Sequence, residues 1–188
     1  MSQPSSADLR RSVLATVDLL RGARFRYMII GGVAVGLWGR PRTTLDVDFA
    51  VLTDLEGLRR LSEQAKHHRF RIDREWAEWN PMARETQLRL IHGDLRIDLL
   101  TPADEHDREA LRRRRVKAWH RRRLWFVAPE DLILQKLKVG RPRDFEDALS
   151  VFETQKGRLE EAYLLRWGRK LGIVEELRYL RRSGLDRG

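Results

Sequence analysis

The chain has 188 residues, enough for one domain or a domain with a helical appendage, and such a length buries roughly 70% of its unfolded surface without staples. It contains no cysteine, which excludes disulfides, zinc–thiolate centres and thiol catalysis. Lys and Arg total 38 against 28 Asp and Glu, a formal charge of +10 that favours phosphate-bearing partners and polyanions.

The opening MSQPSSADLRR has no apolar stretch of the secretory kind, and no apolar run approaches the ~18 residues of a membrane span, so a soluble cytoplasmic protein is expected. Residues 7–22 place Leu9, Val13, Thr16, Val17 and Leu20 on one helical face, with Ser6 as the predicted N-cap and Gly22 as the stop. A strand at 26–30, a short helix at 32–38, a turn at 39–42 and a second strand at 45–52 follow. Residues 54–67 read as a helix through Leu55, Leu58 and Leu61. A strand is expected at 70–74, then a loop holding Trp76, Trp79 and Pro81. TQLRLIHGDLRIDLLT predicts a β-hairpin, 86–92 and 95–101, turning at Gly93 and Asp94. Residues 104–115 predict a basic helix, and 116–127 one or two strands. From Pro129 onward only helices are expected, at 129–138, 143–153, 157–170 and 172–182. The change of texture near residue 128 divides an α/β core, 1–128, from a helical C-terminal segment, 129–188.

The chemistry concentrates in YMIIGGVAVGLWGRPRTTLDVDFAVL, residues 27–52. Side chains alternate across a strand, so Asp46 and Asp48 share one face while Leu45, Val47, Phe49 and Val51 share the core face. Two carboxylates so close repel each other unless a cation lies between them, and magnesium is the hard ion suited to oxygen donors. In the hairpin, Asp98 projects opposite the apolar Leu95, Ile97 and Leu99. If that strand neighbours the one bearing Asp46 and Asp48, Asp98 completes a three-carboxylate cluster and serves as base or as ligand of a second metal. Gly31 and Gly32, after a strand and before a helix, offer backbone amides to a triphosphate, and Arg40 and Arg42 are placed to add contacts to the same phosphates. No Walker-type loop and no G-x-G-x-x-G is present, which excludes P-loop and dinucleotide readings.

A double glycine, a short helix and D-x-D on the next strand together resemble the DNA polymerase beta-like nucleotidyltransferase superfamily. The Arg42-x-Thr44-x-Asp46-x-Asp48 variant looks like the small bacterial members, including AbiEii-type toxins of toxin–antitoxin systems. A second segment, PEDLILQKLKVGRPRDFEDALSVF (129–152), is similar to the helical part of that group, with Lys136, Asp144 and Asp147 on its lysine and D-x-x-D positions. The resemblance covers residues 26–152. It departs from the group in length, since AbiEii-type proteins are generally longer, and in having Gly-Gly where many relatives have Gly-Ser.

The resemblance implies an α/β fold with a mixed central sheet flanked by helices. It also implies two magnesium ions on Asp46, Asp48 and Asp98, and Lys136 near the triphosphate. The implied reaction moves a nucleoside monophosphate from an NTP such as ATP to an acceptor hydroxyl, releasing pyrophosphate. The acceptor classes are RNA such as a tRNA end, a protein hydroxyl, or a small molecule of the aminoglycoside kind. The basic runs Arg112–Arg115 and Arg121–Arg123, interleaved with Trp119 and Trp125, favour RNA. An antitoxin is the partner that a toxin would require. Other classes remain open: a scaffold that binds nucleotide without turnover, and a basic RNA-binding domain without a nucleotide site.

Overall fold

The computed structural model describes residues 5–185. The chain opens with helix α1 (Ser6–Gly22), capped by Ser5 rather than Ser6: the Ser5 hydroxyl accepts from the Asp8 amide, and the Asp8 carboxylate accepts from the Ser5 amide. Next come β1 (Tyr27–Ile29), α2 (Gly31–Trp38), β2 (Asp46–Val51), α3 (Leu55–Lys66) and β3 (Arg71–Ile72). The expected loop after β3 instead carries a short helix, α4 (Arg74–Trp79), and a 3-10 turn at Ala83–Glu85. Asp73 nucleates α4 by accepting from the Trp76 amide at 3.0 Å, a cap that the two tryptophans obscure when the sequence is read for apolar periodicity.

The predicted hairpin forms as β4 (Gln87–His92) and β5 (Leu95–Leu100), with Gly93 in the left-handed region at φ 61°. Helix α5 (Glu105–Arg113) leads to a second hairpin, β6 (Arg115–Trp119) and β7 (Arg122–Phe126). Its two-residue turn places His120 and Arg121 at φ 43° and 65°, so both pay the strain that glycine or asparagine avoids in this turn. Helices α6 (Pro129–Val139), α7 (Pro142–Thr154), α8 (Glu161–Leu171) and α9 (Val174–Leu185) complete the described chain. Pro129 and Pro142 open α6 and α7, and Gly140 at φ 72° separates them.

The strands make one mixed sheet in the order β3-β4-β5-β2-β1-β7-β6. The step that matters for function is the parallel pairing of β2 with β5, which sets Asp46 opposite Arg96, Val47 opposite Ile97 and Asp48 opposite Asp98. Because side chains alternate, this register sends Val47, Phe49, Ile97 and Leu99 into the core together, and all four are fully buried. Each such side chain contributes about 1.5–3 kcal/mol over its exposed state, enough to hold the register against a one-residue slip. Leu45, expected in the core with them, precedes β2 and is 46% exposed. Helices α1 and α3 lie against β2, β4 and β5, whereas α2, α6 and α7 pack on one another beside β2. None of the described helices is long and apolar enough to cross a membrane.

Candidate active site

Asp46, Asp48 and Asp98 line one cavity of about 730 Å³ with Gly32, Arg42 and Lys136. The strands β2 and β5 supply the carboxylates, the start of α2 supplies Gly32, and α6 supplies Lys136, while Gly31 is not among the lining residues. Arg40 is not among the lining residues. Its guanidinium pairs with Glu153 and its amide with the Ser150 hydroxyl, so α7 draws it away from the phosphate role expected for it.

The glycines are needed for reasons visible in the backbone. Gly31 sits at φ 60°, and a Cβ there would lie 1.9 Å from Asp48 Oδ2. A Cβ on Gly32 would lie 2.7 Å from Thr44 Oγ1. The turn and the metal-binding candidates are therefore in direct contact, with Asp48 and Thr44 occupying the space that missing side chains leave. Thr44 in turn donates to the carbonyl of Asp46, which ties the segment before β2 to the first residue of that strand.

The three carboxylates differ in their surroundings. Asp98 is buried and held by both guanidinium arms of Arg89, at 2.7 and 2.8 Å. Asp46 accepts from Arg96 Nε at 2.7 Å through Oδ1, leaving Oδ2 free of a hydrogen-bond partner among the described residues. The Asp48 carboxylate has no hydrogen-bond donor among the described residues, although the Asp48 carbonyl accepts from the Ile30 amide at 3.0 Å. Its burial, with the charges of Asp98 and then Asp46, pushes its pKa up to about 6, against a smaller opposing pull from Lys136 and Arg89.

Asp46 and Asp48 could hold a divalent cation, while the three carboxylates together do not bring ligand atoms within 4.8 Å of one another. The ligands are hard oxygens, Asp48 lacks any compensating donor, and Asp46 keeps one oxygen free beside it. Elsewhere, ligand atoms of Asp104, His106 and Asp107 come within 4.8 Å of one another. There Asp104 accepts from the Asp107 amide and pairs with Lys138, and Asp107 accepts from the Ala103 amide, so the two carboxylates cap α5.

Asp144 and Asp147 find partners other than their sequence neighbours Arg141 and Arg143. Asp147 receives both arms of Arg42 at 2.7 Å, and Lys136 Nζ lies 2.7 Å from Asp144 and 2.8 Å from Asp147. Burial pulls the Asp147 carboxyl upward, but hydrogen bonds from Arg42 and Lys136 outweigh it and leave the group below the ordinary carboxylate range. This network fastens the loop before β2 to α6 and α7. It also fixes Arg42 and Lys136 at the cavity wall.

Arg89 is the residue that motif reading misses. Its signal was present: a two-residue turn at Gly93 and Asp94 sets Arg89 directly opposite Asp98 in the hairpin. Five of the seven arginines at 112–115 and 121–123 have partners within the chain. Arg113 and Arg115 pair with Glu130 and Glu160, Arg112 with Glu109 and Arg122 with Asp18, while Arg114 stacks 4.5 Å from the Trp125 ring. These runs lie around β6, at the opposite end of the sheet from β3.

No family model matches the sequence, and no curated protein matches it either. Solved structures do match in shape. The antibiotic-resistance factor ANT(2'')-Ia superposes with a TM-score of 0.60 at 14% identity, covering 92% of this chain and 98% of its own. A nucleotidyltransferase-like protein from Paracoccidioides brasiliensis gives 0.56 at 15% identity, covering 94% and 95%. The lincosamide antibiotic adenylyltransferase LnuA, solved with lincomycin bound, gives 0.52 at 12% identity, covering 80% and 99%. At these identities the likeness establishes the fold, and the fold is that of the nucleotidyltransferases.

Proposed function

We propose that this chain is a nucleotidyltransferase, moving a nucleoside monophosphate from an NTP to an acceptor hydroxyl with release of pyrophosphate. The observation that carries the reading is the position of Asp48 on this fold: against Gly31, in register with Asp98 and two residues from Asp46. Amides at the start of α2 bind phosphate oxygens, and Arg42 and Lys136, held in place by Asp147 and Asp144, orient the triphosphate. Magnesium held by Asp46 and Asp48, with a second ion reaching Asp98, supplies charge neutralisation and Lewis acidity when bound. The acceptor oxygen forms a bond to the α-phosphorus while the bond from that phosphorus to the bridging oxygen breaks and pyrophosphate leaves. Asp98 takes the hydroxyl proton, which requires that Arg89 first release at least one of its oxygens.

The pairing of Asp46 and Asp98 with arginines favours a second reading, a scaffold that binds nucleotide without turnover. Incubation with each α-labelled NTP, magnesium and cell extract separates the two. Transfer of label with pyrophosphate release, abolished in Asp48→Ala, is the outcome expected of the enzyme. Nucleotide binding without release in any extract identifies the scaffold.

The Arg42-x-Thr44-x-Asp46-x-Asp48 motif supports a narrower version, an AbiEii-type toxin of the cytoplasm restrained by an antitoxin. Expression of such a toxin arrests growth, and Asp48→Ala relieves the arrest. An RNA acceptor is supported by the charge of +10, although the arginines expected to hold it are mostly paired. A small-molecule acceptor is supported by the likeness in shape to two proteins named for antibiotic resistance and antibiotic adenylylation.

A further inference from the structure

A second cavity, of about 640 Å³, lies between α3, α4 and the β3–β4 edge and shares Gln87 and Arg89 with the carboxylate cavity. Its apolar surface comes from Leu58, Ile72 and Leu88, with Trp76 as one wall. Its charges cancel: Glu56, Glu63 and Asp73 stand against Arg59, Arg60 and Arg89. They are also engaged already. Glu56 lies 3.8 Å from Arg59, Glu63 holds Lys66 at 2.6 Å, Asp73 caps α4, and Arg60 lies over the Phe25 ring at 5.5 Å. A polyanion entering here would meet guanidinium groups that have partners and carboxylates that repel it. A flat, largely uncharged molecule would meet an indole and an aliphatic surface.

Arg89 links the two cavities. Its guanidinium lies 4.5 Å from the centre of the Trp76 ring while both its arms hold Asp98. We propose that the second cavity is the acceptor site and that it takes a small, largely uncharged, hydroxyl-bearing molecule with a flat apolar portion. The apolar portion packs on Trp76, and the hydroxyl points past Gln87 to Asp98. A ligand that stacks on Trp76 competes with Arg89 for the indole and so loosens its hold on the base. The assignment rests on the nucleotidyl-transfer reading of the carboxylate face.

The test uses the full chain labelled with nitrogen-15 and three probes: naphthyl β-glucoside, naphthyl phosphate and transfer RNA. The glucoside is expected to shift the Trp76 indole and Gln87 side-chain signals, and its binding, followed by naphthyl fluorescence, to weaken at least tenfold in Trp76→Ala. The thermal midpoint of that variant checks its fold, and Leu88→Phe, which narrows the cavity without removing the indole, is expected to weaken binding as well. Glucoside that leaves these signals unmoved overturns the assignment, as does naphthyl phosphate or transfer RNA shifting them more strongly. Nucleotide binding is followed separately at the Thr44 and Asp48 amides. Failure of the transfer reading therefore appears there, and failure of the acceptor assignment at Trp76.

Discussion

Two groups of acidic residues, one buried around α6 and one along β2 and β5, are treated in different ways. Around α6, Asp131 accepts from the Tyr163 hydroxyl at 2.5 Å, from His106 Nε2 at 3.1 Å and from Arg113 Nε at 3.2 Å. Neighbouring Glu130 accepts from Arg113 at 3.3 Å and from the Glu160 amide at 3.2 Å, and both carboxylates are fully buried. Burial, and then the Asp131 charge, hold the Tyr163 hydroxyl well above its usual pKa, so it remains a donor. In the central sheet, Asp48 has no such donors and sits beside two further carboxylates. A buried charge with both oxygens answered is a clamp, here joining α5, α6 and α8. A carboxylate without a donor, as Asp48 is between the arginine-paired Asp46 and Asp98, is the kind of group that a bound cation would stabilise.

The contrast can be broken most forcefully at the clamp. Asp131→Ala leaves Arg113, Tyr163 and His106 without their common acceptor and is expected to cost about 3–5 kcal/mol, read by denaturant unfolding. Asp48→Asn is expected to do the reverse. Without divalent cation its thermal midpoint equals or exceeds that of the native chain, because a repelling charge has gone. Transfer activity falls by more than about a hundredfold, since even outer partners of metal sites cost ~10–100-fold. A loss of stability in Asp48→Asn comparable to that in Asp131→Ala would erase the distinction between the two groups.

Asp147 sharpens the comparison, being satisfied yet at the edge of the cavity. Its folded pKa lies below the ordinary aspartate value, so its contribution to stability is fully present above about pH 4 and lost as pH falls through the folded value. The stability gap between the native chain and Asp147→Asn is therefore expected to be widest near neutrality. It should narrow on acidification below about pH 4, in thermal scans across that range. Arg40→Ala is the smallest effect. An exposed pair with Glu153 is worth under about 1 kcal/mol, and nucleotide affinity is expected to be unchanged because Arg40 lies outside the cavity.

What the sequence encodes locally follows from the range of each interaction. Alternation alone placed Asp46, Asp48 and Asp98 off the core face, and the two-residue turn at Gly93 and Asp94 fixed the hairpin. The same turn dictates the Arg89–Asp98 pair. The Arg96–Asp46 pair depends instead on the parallel register of β2 and β5, strands separated by more than forty residues, and no local pattern encodes it. The partners of Asp144 and Asp147 were hidden for the same reason: Arg42 reaches Asp147 only because α7 packs beside α2. Arg40 departs from the phosphate role because sequence proximity to Arg42 says nothing about which side of the loop α7 occupies. In the run at 112–115, Arg113 and Arg115 are bound to acidic groups from α6 and the start of α8, which the linear pattern cannot bring near.

The central claim is that Asp48, pressed against the Gly31 turn beside Asp46, holds a cation that holds a triphosphate. Calorimetry with the four non-hydrolysable nucleoside triphosphates, with and without magnesium, measures it on the native chain and on Asp48→Asn. At least one triphosphate is expected to bind the native chain only when magnesium is present, and to lose that binding in the variant. Equal affinity in the two proteins, or affinity indifferent to magnesium, would contradict it.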